Sequence, residues 1–412
     1  MGNFNGKLSQ QAWMIAPETL KLMQVLNTDG GEARFVGGCV RDTLVNRKVV
    51  DIDIATTLKP DDVIERLKKN KIKFAPTGLD HGTVTAIVEG HPFEVTTLRK
   101  DIETFGRHAE VEFTDSWLED AERRDFTINA MSANIEGDVF DPFNGIEDLR
   151  LGHVRFVGDA KTRIEEDVLR ILRFFRFHAH FGKGEADAVA LKACKDTSGE
   201  IKNLSIERIT HEVFKILSSD NSADVWQLML DNNIVESFLP EAKNTKALSK
   251  LIKLEYEHQS EPFVLRRFAA LLDVTAEKVL AIGKHLRFSK EQTRNLVKMV
   301  KHLEEISLEM DEVNIKKQVY LLGNDMVRNL LLLKASKVEE LGGFKKLYEV
   351  ATSFRAPRFP LVGNDILVLG VKPGPEVGQV LSEVEEWWLE KDFVPNREEC
   401  LKILSEKADV YL

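Results

Sequence analysis

Two aspartates, Asp51 and Asp53, stand two residues apart in the segment VVDIDIA and are candidate metal ligands. On a β-strand, residues two apart point to the same side, roughly 7 Å apart along the backbone, so both carboxylates can close on one metal cluster. Paired oxygen ligands suit Mg²⁺, which keeps its other positions for water and substrate phosphate. The neighbouring Val50, Ile52 and Ile54 are expected to face a core. This alternation favours a cleft lined by carboxylates over the alternative, a solvated strand edge.

Two glycines precede the aspartates and follow a predicted strand over residues 34–36. Gly37 and Gly38 have no Cβ, so the backbone at this turn can approach a phosphate group closely. Further along the chain, Glu94 lies between two apolar residues of another predicted strand and is a candidate third carboxylate. A purely structural role suits Glu94 equally well. The pattern predicts a phosphate-binding turn beside a divalent-metal site.

A second charged segment, residues 165–177, reads EEDVLRILRFFRF. Thr162 and Glu165 have the spacing of a capping box, and the apolar period of 3.6 predicts a helix over residues 164–181. One face of this helix is apolar. The opposite face carries acids followed by arginines: Glu166, Asp167, Arg170, Arg173 and Arg176. An ordinary ion pair between Glu166 and Arg170, worth about 0.2–0.5 kcal/mol, is the structural alternative to a binding role.

Five segments, taken in order, resemble the motifs of one enzyme family. The Gly-Gly turn followed by the spaced aspartates is similar to the signature of the DNA polymerase β nucleotidyltransferase superfamily. Residues 123–131 (RRDFTINAM) and 141–149 (DPFNGIEDL) resemble the second and third motifs of the class II tRNA nucleotidyltransferase and bacterial poly(A) polymerase family. Residues 165–177 resemble its fourth motif and residues 205–210 (SIERIT) its fifth. The resemblance covers residues 33–210, about half of the chain.

The resemblance implies roles for the residues of the first two motifs. Gly38, in the same turn as Gly37, and Arg41 would contact the phosphates of the incoming nucleotide, and the paired aspartates would hold Mg²⁺. Pairing of Arg41 with the adjacent aspartate is the structural alternative. Arg124 and Asp125 would hold the sugar, with Asp125 accepting a hydrogen bond from a 2′-hydroxyl so that ribonucleotides are chosen.

The fourth motif of the family reads the incoming base in place of a nucleic-acid template. A carboxylate accepts from an exocyclic amine and an arginine donates to a ring nitrogen or carbonyl, so Asp167 and Arg170 can together recognise C or A. Glu166 belongs to the same edge. Arg173 and Arg176 are expected to hold phosphate or base with their planar guanidinium groups.

The expected activity is template-independent addition of CCA to the 3′ end of tRNA from CTP and ATP, by nucleotidyl transfer with two metal ions. Residues 100–121 mix charge with Gly106 and have no clear period, which predicts a mobile loop; the resemblance implies that a loop here helps the switch from C to A addition. Three alternatives lie within the enzyme class: CC addition only, A addition only, and poly(A) tailing. The net charge of −10 weighs against tailing, because that enzyme must hold unstructured RNA largely by charge. A non-catalytic RNA-binding protein on the same scaffold is the alternative from another class.

The length of 412 residues, with 43% hydrophobic and 30% charged side chains, allows at least two cores. Short β-type runs between residues 33 and 143 predict an α+β domain, and long 3.6-period segments after Gly158 predict a helical remainder. With the resemblance, this becomes a polymerase β-like head with a mixed sheet and helices, followed by an all-helical neck, body and tail. The predicted domains are the nucleotidyltransferase head (1–145), the neck with the nucleotide-selecting helix (146–220), the body (221–335) and the RNA-binding tail (336–412).

Other features of the chain exclude some classes of protein. Its apolar stretches are shorter than the ~20 residues of a membrane helix, and residues 1–11 lack the design of a secretory signal. We therefore expect a cytoplasmic protein that does not associate with membranes. Cys39, Cys194 and Cys400 form no CxxC pair, so no zinc site is expected. A set of basic residues in the second half is predicted to contact RNA phosphates, with a solvated helix face as the alternative: Arg266, Arg267, Lys284, Arg287, Lys290, Arg294, Lys298 and Lys301.

Overall fold

A seven-stranded sheet forms the N-terminal part of the chain in a computed structural model that describes residues 6–105 and 108–408. In the described residues the strands are β1 (Ala33–Val36), β2 (Asp53–Thr56), β3 (Lys73–Gly78), β4 (Thr83–Val88), β5 (His91–Thr97), β6 (Arg99–Phe105), β7 (His108–Phe113), β8 (Ser132–Ala133) and β9 (Val139–Phe140). The sheet order is β3-β4-β5-β2-β1-β8-β9, while β6 and β7 pair only with each other. Strand β2 is antiparallel to β1 and parallel to β5.

The two faces of the sheet differ because successive side chains of a strand point to opposite sides. Phe35 of β1 and Ile54 of β2 are partners in register and are fully buried. Helices α1 (Pro17–Leu26) and α3 (Pro60–Lys69) pack against the sheet and against each other. Asp53, one residue before Ile54, therefore points to the face opposite this core.

The segment between β5 and α4 (Trp117–Glu122) differs from the predicted loop over residues 100–121. Most of it forms the β6–β7 hairpin, with Lys100 opposite Glu112 in register. Ser116 caps α4 by accepting from the backbone N–H of Glu119 at 3.3 Å. The period-two alternation at residues 109, 111 and 113 was the available strand signal. Gly106, named in that prediction, lies outside the described residues.

Helices follow the sheet from residue 145 to residue 231. After α2 (Gly38–Leu44), they are α5 (Gly145–Leu151), α6 (Ala160–Glu166), α7 (Arg170–Phe181), α8 (Ala188–Thr197), α9 (Ile206–Leu217) and α10 (Ser222–Asp231). This arrangement confirms the predicted fold class, a mixed-sheet head followed by helices. The first compact unit of the chain ends at Pro240 and the second begins at Glu241.

The predicted single helix over residues 164–181 is wrong, because the chain forms α6 and α7 with a break at Asp167. Asp167 has an extended backbone (φ −148°, ψ 104°), and its Oδ1 accepts from the backbone N–H of Leu169 at 3.1 Å. The predicted capping box is also wrong. Asp159 caps α6 by accepting from the backbone N–H of Thr162 at 2.9 Å, a contact worth about 1 kcal/mol. Thr162 is thus a residue of the first turn rather than the cap.

The second unit, residues 241–412, is helical in its described part. Its helices are α11 (Thr245–Glu257), α12 (Val264–Ala270), α13 (Ala276–His285), α14 (Lys290–His302), α15 (Glu312–Leu322), α16 (Asn324–Lys337), α17 (Phe344–Ser353), α18 (Gly363–Val368), α19 (Pro375–Glu390) and α20 (Arg397–Ala408). None of the helices in the described residues has the length and apolar character needed to cross a bilayer. The four predicted domains remain a prediction.

Two of the predicted RNA contacts belong instead to the core of this second unit. Arg266 and Arg267 are 3% and 1% exposed and both donate to the buried carboxylate of Glu255. Arg266 also donates to the side-chain oxygen of Asn329 at 2.6 Å. A guanidinium that is held this way inside the protein cannot reach an RNA phosphate. The predicted phosphate contact is therefore wrong for these two arginines. Sequence alone did not reveal this, because Glu255 lies on the preceding helix.

Candidate active site

The three candidate carboxylates line one cavity of about 480 Å³. Asp53 is the first residue of β2, and Glu94 is its direct neighbour in the parallel register with β5. Asp51 lies two residues before β2, so the prediction that both aspartates are on the strand is wrong for Asp51. Val50 is 82% exposed and does not face a core. Only residues from Asp53 onward find partners in β1 and β5, which explains where the strand begins.

The electrostatics of the cavity suit a cation. Burial raises the pKa of Asp53, the charge of Glu94 raises it further, and Arg124 partly offsets these effects while Asp51 adds to them. A positive charge placed here would stabilise the ionised carboxylates, and their oxygens are the ligands that Mg²⁺ prefers. Among the described residues, no three His, Cys, Asp or Glu side chains are placed to hold one metal ion together. A bound ion would therefore complete its shell with water and substrate phosphate.

The Gly-Gly turn connects α2 to β1, the strand that pairs with β2. Gly37 has φ +67°, a conformation that favours glycine, and a Cβ there would lie 3.2 Å from Nη1 of Arg124. Its N–H donates to the carbonyl of Met131 at 3.2 Å, which fixes the turn against the second motif. A Cβ at Gly38 would meet only Nη2 of Arg41, at 3.7 Å. The protein thus explains glycine at position 37, and a close ligand would explain it at position 38.

Arg41, the predicted phosphate contact of α2, is held by protein groups. Its Nε and Nη2 donate to the carboxylate of Asp42 at 3.0 Å each, and its Nη1 donates to Oδ1 of Asn129 at 2.6 Å. The guanidinium also lies 4.5 Å from the ring centre of Phe181. Burial lowers the pKa of Arg41 against the opposing effect of Asp42. The structural alternative is therefore present, and phosphate binding by Arg41 stays a prediction.

Arg124, predicted to hold the sugar, shares a buried acid with Arg123. Its Nη2 donates to Oδ2 of Asp120 at 3.0 Å, while Nη2 of Arg123 donates to Oδ1 at 2.7 Å. Burial acts to raise the pKa of Asp120, but the charges and hydrogen bonds of the two arginines outweigh it and hold that pKa below its usual range. Asp120 is thus an anion that fixes Arg124 beside the Gly-Gly turn. Sequence analysis did not identify Asp120 as part of the site.

Asp125, the second predicted sugar contact, is 7% exposed and fully engaged. Oδ1 accepts from the backbone N–H of Phe126 at 2.9 Å and from Nδ2 of Asn129 at 3.0 Å. Oδ2 accepts from Nε of Arg173 at 2.7 Å and from a second guanidinium nitrogen of that arginine. Burial favours a higher pKa for Asp125, but Arg173 and Asn129 hold it below its usual range. For Asp125 to accept a hydrogen bond from a ribose hydroxyl, Arg173 would have to give up one of its two hydrogen bonds to Oδ2.

The acid-and-arginine edge runs from the end of α6 along α7 and consists of Glu166, Asp167, Arg170, Arg173 and Arg176. Glu166 accepts from both Arg163 and Arg170 through Oε2, so the ordinary ion pair of the structural alternative is present. Nη1 of Arg170 also donates to the carbonyl of Arg163 at 2.8 Å. Arg163 donates in addition to the carbonyl of Arg124 at 2.9 Å, which ties this edge to the second motif. The side chains of Asp167 and Arg170 do not pair with each other; the two residues are joined only by a backbone hydrogen bond, in which the Arg170 N–H donates to the Asp167 carbonyl at 2.9 Å.

Helix α9 supplies partners that sequence analysis missed. Nη2 of Arg208 donates to Oδ2 of Asp167 at 2.8 Å, and the buried Glu212 accepts from Nε of Arg176 at 2.6 Å. Arg208 lies in the fifth motif, which was the only available signal for it. The pairing partner of a charged residue 41 positions away is set by tertiary packing and not by local pattern.

The fold and these side chains together define a class of protein. Carboxylates on neighbouring strands, together with a Gly-Gly turn, are the arrangement of the head of a polymerase β-like nucleotidyltransferase. This family uses divalent metals. The family profile described as "Poly A polymerase head domain" matches residues 33–155, and that described as "Probable RNA and SrmB- binding site of polymerase A" matches residues 187–246.

Comparison with individual relatives identifies the family within this class of nucleotidyltransferases. The chain is 33% identical to the "CCA tRNA nucleotidyltransferase 1, mitochondrial" of Danio rerio, over 93% of this chain and 90% of the relative. It is 30% identical to the "CCA-adding enzyme" of Lactobacillus helveticus, over 90% and 92%. The crystal structure of the Bacillus stearothermophilus CCA-adding enzyme in complex with CTP superposes with a TM-score of 0.76 at 26% identity, over 95% and 97%. The chain belongs to the CCA tRNA nucleotidyltransferase family.

Proposed function

We propose that this protein adds CCA to the 3′ end of tRNA from CTP and ATP, without a nucleic-acid template and with Mg²⁺. The observation that supports this most is the placement of Asp53 beside Glu94 in register, one strand from the Gly-Gly turn, in a member of this family. The candidate donors Asp51, Asp53 and Glu94 offer oxygen atoms only, which suits hard divalent cations such as Mg²⁺. The cytoplasmic location predicted from the sequence belongs to the same proposal; the Danio rerio relative is named as mitochondrial.

The proposed roles follow from position on the sheet. Asp51 and Asp53 hold the metal ions, which supply Lewis-acid stabilisation of the triphosphate and of the attacking hydroxyl when bound. Glu94 shares the cavity and adds its negative charge to that of the two aspartates. Gly37 and Gly38 let the nucleotide's phosphates approach the backbone, and Arg124, fixed by Asp120, offers a guanidinium nearby.

The selection of the nucleotide is proposed to lie on α6 and α7. The carboxylate of Asp167 accepts from the exocyclic amine of C or A, and Arg170 donates to a ring nitrogen or carbonyl. U and G present a carbonyl where C and A present the amine, so a fixed acceptor rejects them. The buried Asp125 pairs with Arg173 of this edge, whose side chain is 33% exposed, and the sugar role of Asp125 requires that pair to open.

The experiment that tests this function uses labelled CTP and ATP, separately and together, with Mg²⁺ and tRNAs lacking three, two or one terminal nucleotides. Addition of C, C and then A is expected. Addition of C alone, of A alone, or of a long A tract would select CC addition, A addition or poly(A) tailing instead. No incorporation would favour the RNA-binding protein that has lost catalysis.

Helix α14 of the second unit carries four of the six predicted RNA contacts that remain; the other two are Lys284 and Arg287. Lys290, Arg294, Lys298 and Lys301 are exposed, and their spacing of four, four and three places them on one side of α14. Replacing all four by glutamine is expected to weaken tRNA binding and to lower the slope of log affinity against log salt by about 0.7–0.9 for each phosphate that is no longer bound. Filter binding of tRNA at several salt concentrations measures both quantities.

A matched control replaces four exposed lysines that lie elsewhere in the same unit: Lys243, Lys246, Lys253 and Lys345. This variant has the same change in net charge and is expected to keep a nearly wild-type salt slope. Equal slopes for the two variants would show that α14 is an ordinary solvated face.

A further inference from the structure

Helix α9 packs against α7 and presents two charged residues, four positions apart, to the acid-and-arginine edge. Residues four apart lie on the same face of a helix. Arg208 pairs with Asp167, which stands in the break between α6 and α7, and Glu212 pairs with Arg176 on α7. We call Arg208 and Glu212 the α9 pair. Neither residue belongs to the set that would contact the nucleotide.

The Arg208 contact acts on a carboxylate that has few other restraints. Asp167 sits outside both helices, with an extended backbone and a side chain that is 20% exposed. One carboxylate oxygen, Oδ1, accepts from the N–H of Leu169 and the other, Oδ2, accepts from Nη2 of Arg208. These two donors fix the plane of the carboxylate, while each oxygen keeps a second lone pair for a ligand. Without Arg208, rotation about the side-chain bonds of Asp167 would be limited by a single hydrogen bond.

The Glu212 contact fixes the other end of the edge. Glu212 is 3% exposed, and its carboxylate accepts from Nε of Arg176 at 2.6 Å. The Arg176 guanidinium also lies 4.0 Å from the ring centre of Phe177. A guanidinium that is paired through Nε and stacked on a ring keeps its two Nη groups for a ligand. The α9 pair therefore holds an acceptor at one end of the edge and a donor at the other.

We propose that Arg208 is a positioning residue for base selection, which orients the Asp167 carboxylate so that it accepts from the amine of C or A and rejects U and G. This rests on the proposed function of Asp167 as a base reader. Glu212 acts in the same way on Arg176, whose proposed contact is phosphate or base. Discrimination depends on the fixed direction of the acceptor, since a mobile carboxylate can turn away from the carbonyl of a wrong base.

The test measures kcat/KM for CTP and for UTP with a tRNA that lacks all three terminal nucleotides. Arg208→Ala is expected to lower the ratio of kcat/KM for CTP to kcat/KM for UTP (the CTP/UTP ratio) by about tenfold. An effect of this size is typical of the interaction between two neighbouring side chains. Arg208→Lys, which keeps the charge but loses the planar fork, is expected to recover part of the ratio. Lys215→Gln removes a positive charge from an exposed position of the same helix and is expected to keep the wild-type ratio.

A double-mutant cycle separates positioning from a general structural effect. If Arg208 acts through Asp167, adding Arg208→Ala to Asp167→Ala causes no further loss of selectivity. Additive losses, or an unchanged CTP/UTP ratio in Arg208→Ala, would overturn the proposal. Melting curves check that each variant is folded, and Arg208→Gln, which keeps a donor and much of the stem, carries the same test if the alanine variant is unfolded.

Failure of the proposed function is distinguishable from failure of this inference. A wild-type protein that incorporates neither CTP nor ATP would contradict the proposed function. Dissociation constants of CTP and UTP, measured by calorimetry, would then test Arg208 directly. A CTP/UTP binding ratio that is the same in wild type and Arg208→Ala would again overturn the role of Arg208, whereas a lower ratio in the variant would support it.

Discussion

Replacing Asp51 and Asp53 together by alanine is expected to lower nucleotide incorporation by about 10³-fold or more, since the metal ion proposed for this site would supply several kcal/mol of transition-state stabilisation. The two carboxylates lie in the same cavity as Glu94, and the pKa of Asp53 is raised by burial and by its acidic neighbours. Removing them relieves repulsion, so the fold should be retained. Incorporation of labelled CTP into tRNA, with tRNA binding measured in parallel, checks both expectations.

The control for this variant is Asp61→Ala with Asp62→Ala, two exposed acids in the first turn of α3. It has the same change in net charge and leaves the cavity intact. Near wild-type incorporation is expected, at a cost in stability of about 0.3–1 kcal/mol per helix-terminal charge. If the Asp51 and Asp53 variant kept substantial incorporation, the metal assignment would be wrong. Loss of tRNA binding in the same variant would instead indicate a structural role for these aspartates.

The sequence predicted the parts of the site that depend on local pattern. The β-type run before the glycines, the position of Asp53 on a strand, and the helices that follow the sheet are all consistent with periodicity and turn chemistry. Motif order added the family and its fold. The apolar face predicted for residues 164–181 was largely correct: Ile164, Ile171, Phe175 and Ala179 are buried, while Val168, in the break between α6 and α7, is partly exposed.

The errors arose where a long-range contact overrides local pattern. The helical period continues through residue 167, yet Asp167 is drawn out of the helix, with its side chain bonded to Leu169 and Arg208. Val50 fits the alternation of a strand but has no neighbouring strand to pair with. Arg266 and Arg267 are residues typical of an RNA-binding surface, but in the structure both pair with the buried Glu255. In each case the deciding partner is distant in sequence or absent.

The same reasoning explains why the ion pairs of the site could not be predicted. Arg163, Asp120 and Glu212 are charged residues in helices, a setting in which solvent exposure is the usual expectation. The structure places Asp120 and Glu212 among the buried residues, each paired with an arginine. Buried charges need partners, so these acids determine where the arginines of the site point. Only the fold shows which arginine pairs with which acid.

Arg170→Ala and Asp167→Ala are each expected to reduce the discrimination of CTP and ATP against UTP and GTP by about 5- to 150-fold, the range for one good base contact. Arg170→Ala is the cleaner change, because Glu166 keeps its second partner, Arg163, when Arg170 is removed. Asp167→Ala also removes the acceptor of the Leu169 N–H, so part of its effect is on the start of α7. Values of kcat/KM for each of the four nucleotides, with tRNA binding measured separately, check the prediction.

Two further variants decide whether such a loss reflects base reading. Arg170→Lys keeps the charge but lacks the planar fork, and it is expected to lose discrimination nearly as fully as the alanine variant. Arg150→Ala removes an exposed arginine that pairs with Glu147 on α5, outside the edge, and should keep wild-type selectivity. Unchanged selectivity in both Arg170→Ala and Asp167→Ala would exclude the edge as the reader of the base. A loss of tRNA binding equal to the loss of kcat/KM would assign these residues to RNA binding, because only nucleotide selection changes the ratio between nucleotides without changing affinity for the primer.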